Sequence, residues 1–272
     1  MSGSYWEDVR ATGLDVPSDR ALDDLTAELT RMLGDPDPEV RDRIAAPALA
    51  TWIARGVYDD LLPGLGDGMA AGLTVGLGGP EDDTVFRRSR SALILGVCIA
   101  RDNDRPLVPG GKVLEWGDRI ATWMLRERDL RGFVPEKGRA AAIAHGADAL
   151  AVLAASPHVS TPELTVILDV VADRVLAKAR VPFADRQADR LANTTIAVLR
   201  RNQVPLTVVE PWINRIADGS TSPAPDAGNA EAFLRALYLQ LALGPNPPEV
   251  RADLLLTLVD VLRQRNPELR RR

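Results

Sequence analysis

His145 and Asp148 stand three residues apart in the stretch AIAHGADAL, and His145 is one of only two histidines in the chain. On a helix that spacing makes the two side chains neighbours on one face. An imidazole beside a carboxylate can act as a general base with its orienter, or as two ligands of a site. It can equally be a His–Asp bond that ties one helix to its neighbour. The surrounding residues are mostly alanine, so the pair falls where backbones approach closely or where a groove is open. A basic run, Arg87, Arg88 and Arg90, lies near the start of TVFRRSRSALIL. Lys137 and Arg139 precede His145, and Asp189 and Arg190 hold a similar place one repeat further on. If these segments stack, Arg88, Arg90, Lys137, Arg139, His145, Asp148, Asp189 and Arg190 converge on one polar surface. Stacking of Asp on Arg from repeat to repeat gives the same surface a structural explanation.

The elements that would position these residues read as helices. Apolar residues recur at helical spacing over long segments, none of the longer ones alternates with period two, and Pro and Gly punctuate the chain. The clearest unit is LGDPDPEVRDRIAAPALATWIARG, residues 33–56. Asp37 suits an N-cap, Pro38 the first helical position, Glu39 the helix dipole and Gly56 the terminator. Related segments begin near residues 78, 134, 181 and 224, and NPPEVRADLLL follows near 246. Partner helices fall at about 19–33, 59–78, 112–127, 161–179 and 206–218. Such spacing predicts an all-α, HEAT-like α-solenoid of about five to six helical pairs. The whole of 1–272 reads as a single helical-repeat domain, with a short N-terminal arm over about 1–18 and a frayed end over about 266–272. The segment ADGSTSPAPDAGN, 217–229, reads as an exposed connector. Within 61–77, glycines at 64, 68, 72 and 76 step by four, which predicts a helix whose glycine stripe admits a neighbouring backbone. The five tryptophans suit core positions. Tyr5 and Trp6, near a terminus, could alternatively form a docking element.

Two of the helix starts carry a more specific signal. Val85, Phe86, Arg88, Ser89 and Ser91 form one block. Arg131, Gly132, Phe133, Val134, Lys137, Gly138, Ala144, His145 and Asp148 form the second. Together, in order and spacing, they resemble the bacterial DUF2785 family. The family's pattern carries an aromatic where this chain has Arg90, a Trp at Arg139 and a His at Ala141. The resemblance implies that a relative with that extra His would set three potential metal ligands on one helix face. This chain keeps two of them, so neither a metal nor another cofactor is expected.

Bulk properties narrow the function. The formal net charge is −5, which opposes a global nucleic-acid footprint, although a local basic groove is compatible with it. The lone Cys98 sits in an apolar run and reads as a small buried hydrophobe. There is no secretory leader pattern at the start, and the most apolar stretch, 61–79, is broken by Asp67 and seven glycines. A soluble cytoplasmic protein is expected. No dinucleotide, Walker, nucleophile-elbow or zinc-protease motif is present. The expectation is therefore a binding module whose concave polar face takes a partner protein, a peptide or an anionic small molecule. The alternatives are an enzyme that uses His145 and Asp148 in acid–base or metal-assisted hydrolysis, and a nucleic-acid binder with an Arg-lined groove.

Overall fold

The protein is described by a computed structural model covering residues 2–178, 182–219, 226–266 and 268. It is mostly helical, as the periodicity predicts, and it divides into two compact units, Met1–Ala149 and Leu150–Arg272.

The first unit opens with α1 (Ser2–Ala11) and α2 (Leu22–Met32). A longer helical segment follows in three parts: α3 (Pro38–Val40), a π-helical stretch (Arg41–Ala45) and α4 (Ala46–Ala54). Asp37 caps it as expected, its carboxylate accepting the Glu39 N–H at 2.9 Å. Gly56 ends it with φ +81°. Next come α5 (Leu62–Gly72), α6 (Thr84–Asp104) and α7 (Gly110–Arg126). A small hairpin, absent from the sequence reading, pairs β1 (Phe133–Val134) with β2 (Gly138–Arg139), placing Phe133 opposite Arg139. It leads into α8 (Ala142–Ala154), which runs across the boundary between the units.

The expected N-terminal arm is itself largely the helix α1. Trp6 is not a docking element. It is 1% exposed, donates to Glu28 at 2.9 Å and lies against Trp52, which in turn lies against Tyr58. An indole buried with its N–H satisfied is core, and it fixes α1 to the unit.

The glycine stripe also differs from expectation. The helix stops at Gly72, and Gly76 lies beyond it with φ +63°. Nothing lies within 4 Å of a Cβ built at Gly64 or Gly68. The close approaches are at Gly66, where a Cβ would sit 2.1 Å from the Trp116 ring of α7, and at Gly72, 2.1 Å from Ser91 Oγ of α6. Gly66→Ala is therefore expected to destabilise by about 1–3 kcal/mol through overpacking. Gly68→Ala should instead stabilise by about 0.5–1 kcal/mol, because alanine loses less backbone entropy in a helix. Urea unfolding of the two variants checks both signs.

The second unit contains α9 (Thr161–Leu176), α10 (Gln187–Leu199), α11 (Leu206–Gly219), α12 (Asp226–Leu243) and α13 (Arg251–Arg265). Ser160 and Glu163 form a capping box at the start of α9. Within this unit α9 packs on α11, α11 on α13, and α10 on α12. In the first unit α2 packs on α4, α4 on α6, and α5 on α7. Elements two apart in the chain thus pack together, alongside sequential pairs such as α5 with α6 and α12 with α13. Side-chain bonds repeat the same register. Trp212 reaches the Leu168 carbonyl at a separation of 44, Arg201 the Ser156 carbonyl at 45, and Arg101 the Asp59 carboxylate at 42. The expected connector at 217–229 is shorter than read: 217–219 complete α11 and 226–229 begin α12, while 220–225 lie outside the described residues, as do Arg270–Arg272.

Candidate functional site

The site is built in the first unit where the π-helical stretch and α4, α6 and α8 meet. A cleft of about 290 Å³ is lined by Asp42, Ala46, Pro47 and Ala50, by Arg90, Leu93 and Val97, and by His145. Its walls are mainly apolar, with a carboxylate, a guanidinium and an imidazole converging on it. Such a composition is usual for small-ligand sites, and the volume lies at their lower end.

The π-helical stretch adds a residue to a turn and re-aims the side chains around it. It carries Arg41 and Asp42. Arg41 is wholly buried and stacks on the Phe86 ring at 4.0 Å. Its guanidinium donates to the carbonyls of Asp35 (2.8 Å) and Lys137 (2.7 Å) and to Asp42 (2.8 Å). Arg90, 3% exposed, meets the same carboxylate from the other side at 2.7 Å. It also donates to the carbonyls of Ala140 (2.8 Å) and Arg139 (2.8 Å). Burial lowers the Arg90 pKa, with Asp42 opposing and Arg41 adding to that shift. Two arginines on one carboxylate thus hold the hairpin by its carbonyls. The hairpin in turn delivers Ala141, whose φ of +54° is a left-handed conformation rare for alanine, at the start of α8.

His145 lies one turn into α8. Its Nδ1 is 2.9 Å from Ser89 Oγ and 3.3 Å from the Ser89 carbonyl oxygen. The carbonyl can only accept, and the Ser89 hydroxyl spends its proton on the Ala140 carbonyl. Nδ1 therefore carries the hydrogen, and in the neutral ring Nε2 carries the basic lone pair. The same accounting shows that Ser89 is not an activated nucleophile, since it accepts from the imidazole rather than donating to it. The alanines around His145 have a packing role. A Cβ at Gly146 would lie 2.2 Å from Met124 Sδ, and a Cβ at Gly96 lies 3.3 Å from the Ala149 Cα. Small residues let α8 sit directly on α6 and α7.

The sequence-predicted residues divide as follows. Arg90 and His145 line the cleft. Asp148 is half-buried one turn further along α8. Arg139 is exposed on the hairpin, opposite Phe133, and contributes its carbonyl to Arg90. Lys137 pairs with Asp83 at 2.7 Å. Arg88 is interior: 3% exposed, it is bound to Glu127 at 2.6 and 3.0 Å and to the Val75 carbonyl. Asp189 and Arg190 belong to α10 of the second unit, where Asp189 lies 3.7 Å from Arg186. Sequence reasoning missed Asp42, Arg41 and Ser89 as site residues. Asp42 stood in a charged helix turn that reads as solvated, and Ser89 was visible only as part of the motif. Cys98 is fully buried as expected, and burial pushes its thiol up to about 12. Among the described residues no group of three or more His, Cys, Asp or Glu side chains is placed to hold a metal ion. None of the helices is long and apolar enough to cross a membrane, again among the described residues.

The geometry defines a mostly helical protein with a small, mostly apolar cleft and an imidazole at its edge. The chain belongs to the DUF2785 family, whose model, described as a protein of unknown function, matches residues 73–239, more than half of the chain. No curated protein and no solved structure matches it. The matched span holds Arg90, the hairpin and His145, whereas Asp42 and α4 lie before it.

Proposed function

We propose that this protein is a binding module and that the cleft between α4, α6 and α8 is its ligand site. The observation that carries this reading is His145: a scarce imidazole, held in one tautomer by Ser89, lining a cavity whose other walls are largely apolar. The ligand class is a small molecule, or a side chain of a partner, with an apolar body and one polar group that meets His145 and the Asp42–Arg90 pair. A net positive balance in the Arg41–Asp42–Arg90 cluster favours an anionic group. We read the helices as a HEAT-like array acting in the cytoplasm. The recurrent bond separations of 42–45 and the packing of elements two apart support the array. Arg88 and Arg90 are buried and internally paired, which weighs against a phosphate-facing groove.

Fragment binding to the full chain, read by ligand-observed NMR, tests the site. Ala50→Trp fills the cleft while leaving Asp42, Arg90 and His145 themselves unchanged, and hits should disappear with it. Fragments that bind this variant as they bind the wild type, or a chain that binds none, would sink the reading. His145→Ala should weaken the hits about tenfold, the loss of one good hydrogen bond. It should cost no more than about 1 kcal/mol of stability, because Ser89 Oγ keeps Arg90 as a donor at 3.2 Å.

A second reading rests on the tautomer. An imidazole at the edge of a cleft is the kind of group a general base needs, so the same cleft, with Asp148 one turn along α8, suits acid–base hydrolysis. Turnover in a hydrolase panel that vanishes in His145→Ala would select it.

A further inference from the structure

The cleft is polar at one end only. Its long walls are helices that run side by side in the same direction: Asp42 meets Arg90 at 2.7 Å, and further along the same pair Arg101 reaches the Ala54 carbonyl at 3.4 Å. Asp42, Ala46 and Ala50 step along one wall, and Arg90, Leu93 and Val97 along the other, each set on one helix face. His145 joins the Asp42–Arg90 end through its bond to Ser89, the residue before Arg90. Beyond that end the lining, among the described residues, is wholly apolar. Pro47, Ala50, Leu93 and Val97 are each partly exposed, so water meets apolar wall that a ligand would cover.

Length and volume set a shape. Arg90 and Val97 are seven residues apart on the continuous helix α6, a span of about 10 Å. A volume of about 290 Å³ over that span leaves a cross-section of about 30 Å². A single chain fills so narrow a slot from end to end, and a branched group of the same mass does not. The polar end limits the head group. Arg90 is 3% exposed and spends its N–H groups on Asp42, Ser89 and the carbonyls of Ala140 and Arg139. The Asp42 side chain, 32% exposed, is more open, and its Oδ2 accepts from Arg41 at 2.8 Å with lone-pair capacity to spare. The positive balance of the cluster draws a carboxylate, whereas the open Asp42 oxygen accepts from a hydroxyl. We propose that the ligand is a straight-chain amphiphile: an unbranched alkyl chain along the slot, with a small oxygen head group at the Asp42–Arg90–His145 end. This rests on the cleft being the ligand site and adds the ligand's shape to that reading.

Calorimetry on the full chain with four eight-carbon probes tests it. Octanoate is compared with its branched isomer 2-propylpentanoate, and 1-octanol with 2-propyl-1-pentanol, so that each pair shares atoms and charge and differs in shape alone. At least one straight probe should bind about tenfold or more tightly than its isomer, because more of its methylenes are covered. The tighter straight probe identifies the head group. Val97→Trp closes the far end of the slot, leaves the polar end unchanged and should weaken that probe about tenfold. A branched isomer that binds as well as its straight partner, no binding by either straight probe, or equal binding by Val97→Trp would overturn the proposal. Fragments lost in Ala50→Trp would then still uphold the cleft as a ligand site, whereas a chain that binds no fragment loses both readings. The comparison of isomers needs no variant and stands even if Val97→Trp fails to fold.

Discussion

Glu127→Ala is expected to destabilise the protein by about 3–5 kcal/mol, the cost of leaving a buried charge without its partner. Glu127 is 2% exposed and ends α7, where it gathers five donors. Arg88 approaches at 2.6 and 3.0 Å, Trp123 Nε1 at 2.9 Å, and the backbone N–H groups of Arg128 and Asp129 at 3.0 Å each. Alanine leaves Arg88 interior, with only the Val75 carbonyl and the Thr84 hydroxyl. It also frees the two N–H groups that turn the chain from α7 towards the hairpin. Urea unfolding gives the loss directly. A second variant separates charge from packing. Glu127→Leu combined with Arg88→Met removes both charges and should recover much of the loss, because paired apolar replacements of buried ion pairs are often neutral or stabilising. Recovery by the double variant no better than Glu127→Ala would show that the N–H groups, and not the arginine, dominate the effect.

That pairing marks the limit of what the sequence shows. Local features were legible: the Asp37 cap, the Gly56 stop and the helix positions follow from residues within a turn of one another. Features that depend on distant partners were not. His145 also bonds through Nδ1 to Ser89, 56 residues earlier, a partner that no local spacing points to. Arg88 reads as a face residue because its carboxylate lies 39 positions later. Three arginines in a run look alike, but one is paired with Glu127, one with Asp42, and Arg87 with neither. The glycine stripe failed for a different reason. A step of four is meaningful only while the helix lasts, and it ends at Gly72, before the fourth glycine. The alanine-rich character of α8, by contrast, correctly pointed to close backbone approach.

Arg90→Met should cost about 2–4 kcal/mol and loosen the hairpin that sets His145 in place. The methionine fills the stem's volume but donates nothing. The Arg139 carbonyl loses its 2.8 Å donor, the Ala140 carbonyl keeps only Ser89, and Asp42 keeps only Arg41. Lost charge-assisted bonds of this kind contribute about 1.5–3 kcal/mol each before relaxation. Hydrogen exchange should rise selectively at Lys137 and Ala140, whose amides close the hairpin on Val134 and Gly132, while the exchange of α2 stays unchanged. Arg90→Lys keeps the charge without the fork and should fall between, because an ammonium cannot serve Asp42 and two carbonyls at once. Arg90→Phe places at 90 the aromatic that the family resemblance implies, and tests whether the guanidinium is needed to hold Arg139 and Ala140 ahead of Ala141. The guanidinium of Arg90 grips the carbonyl of Arg139 and that of Ala140, directly before Ala141. An aromatic at 90 offers no donor to either carbonyl, so alone it should be as costly as methionine. If Arg90→Phe is instead tolerated, with the hairpin protected from exchange, the carbonyl contacts are incidental and the cleft is held by packing.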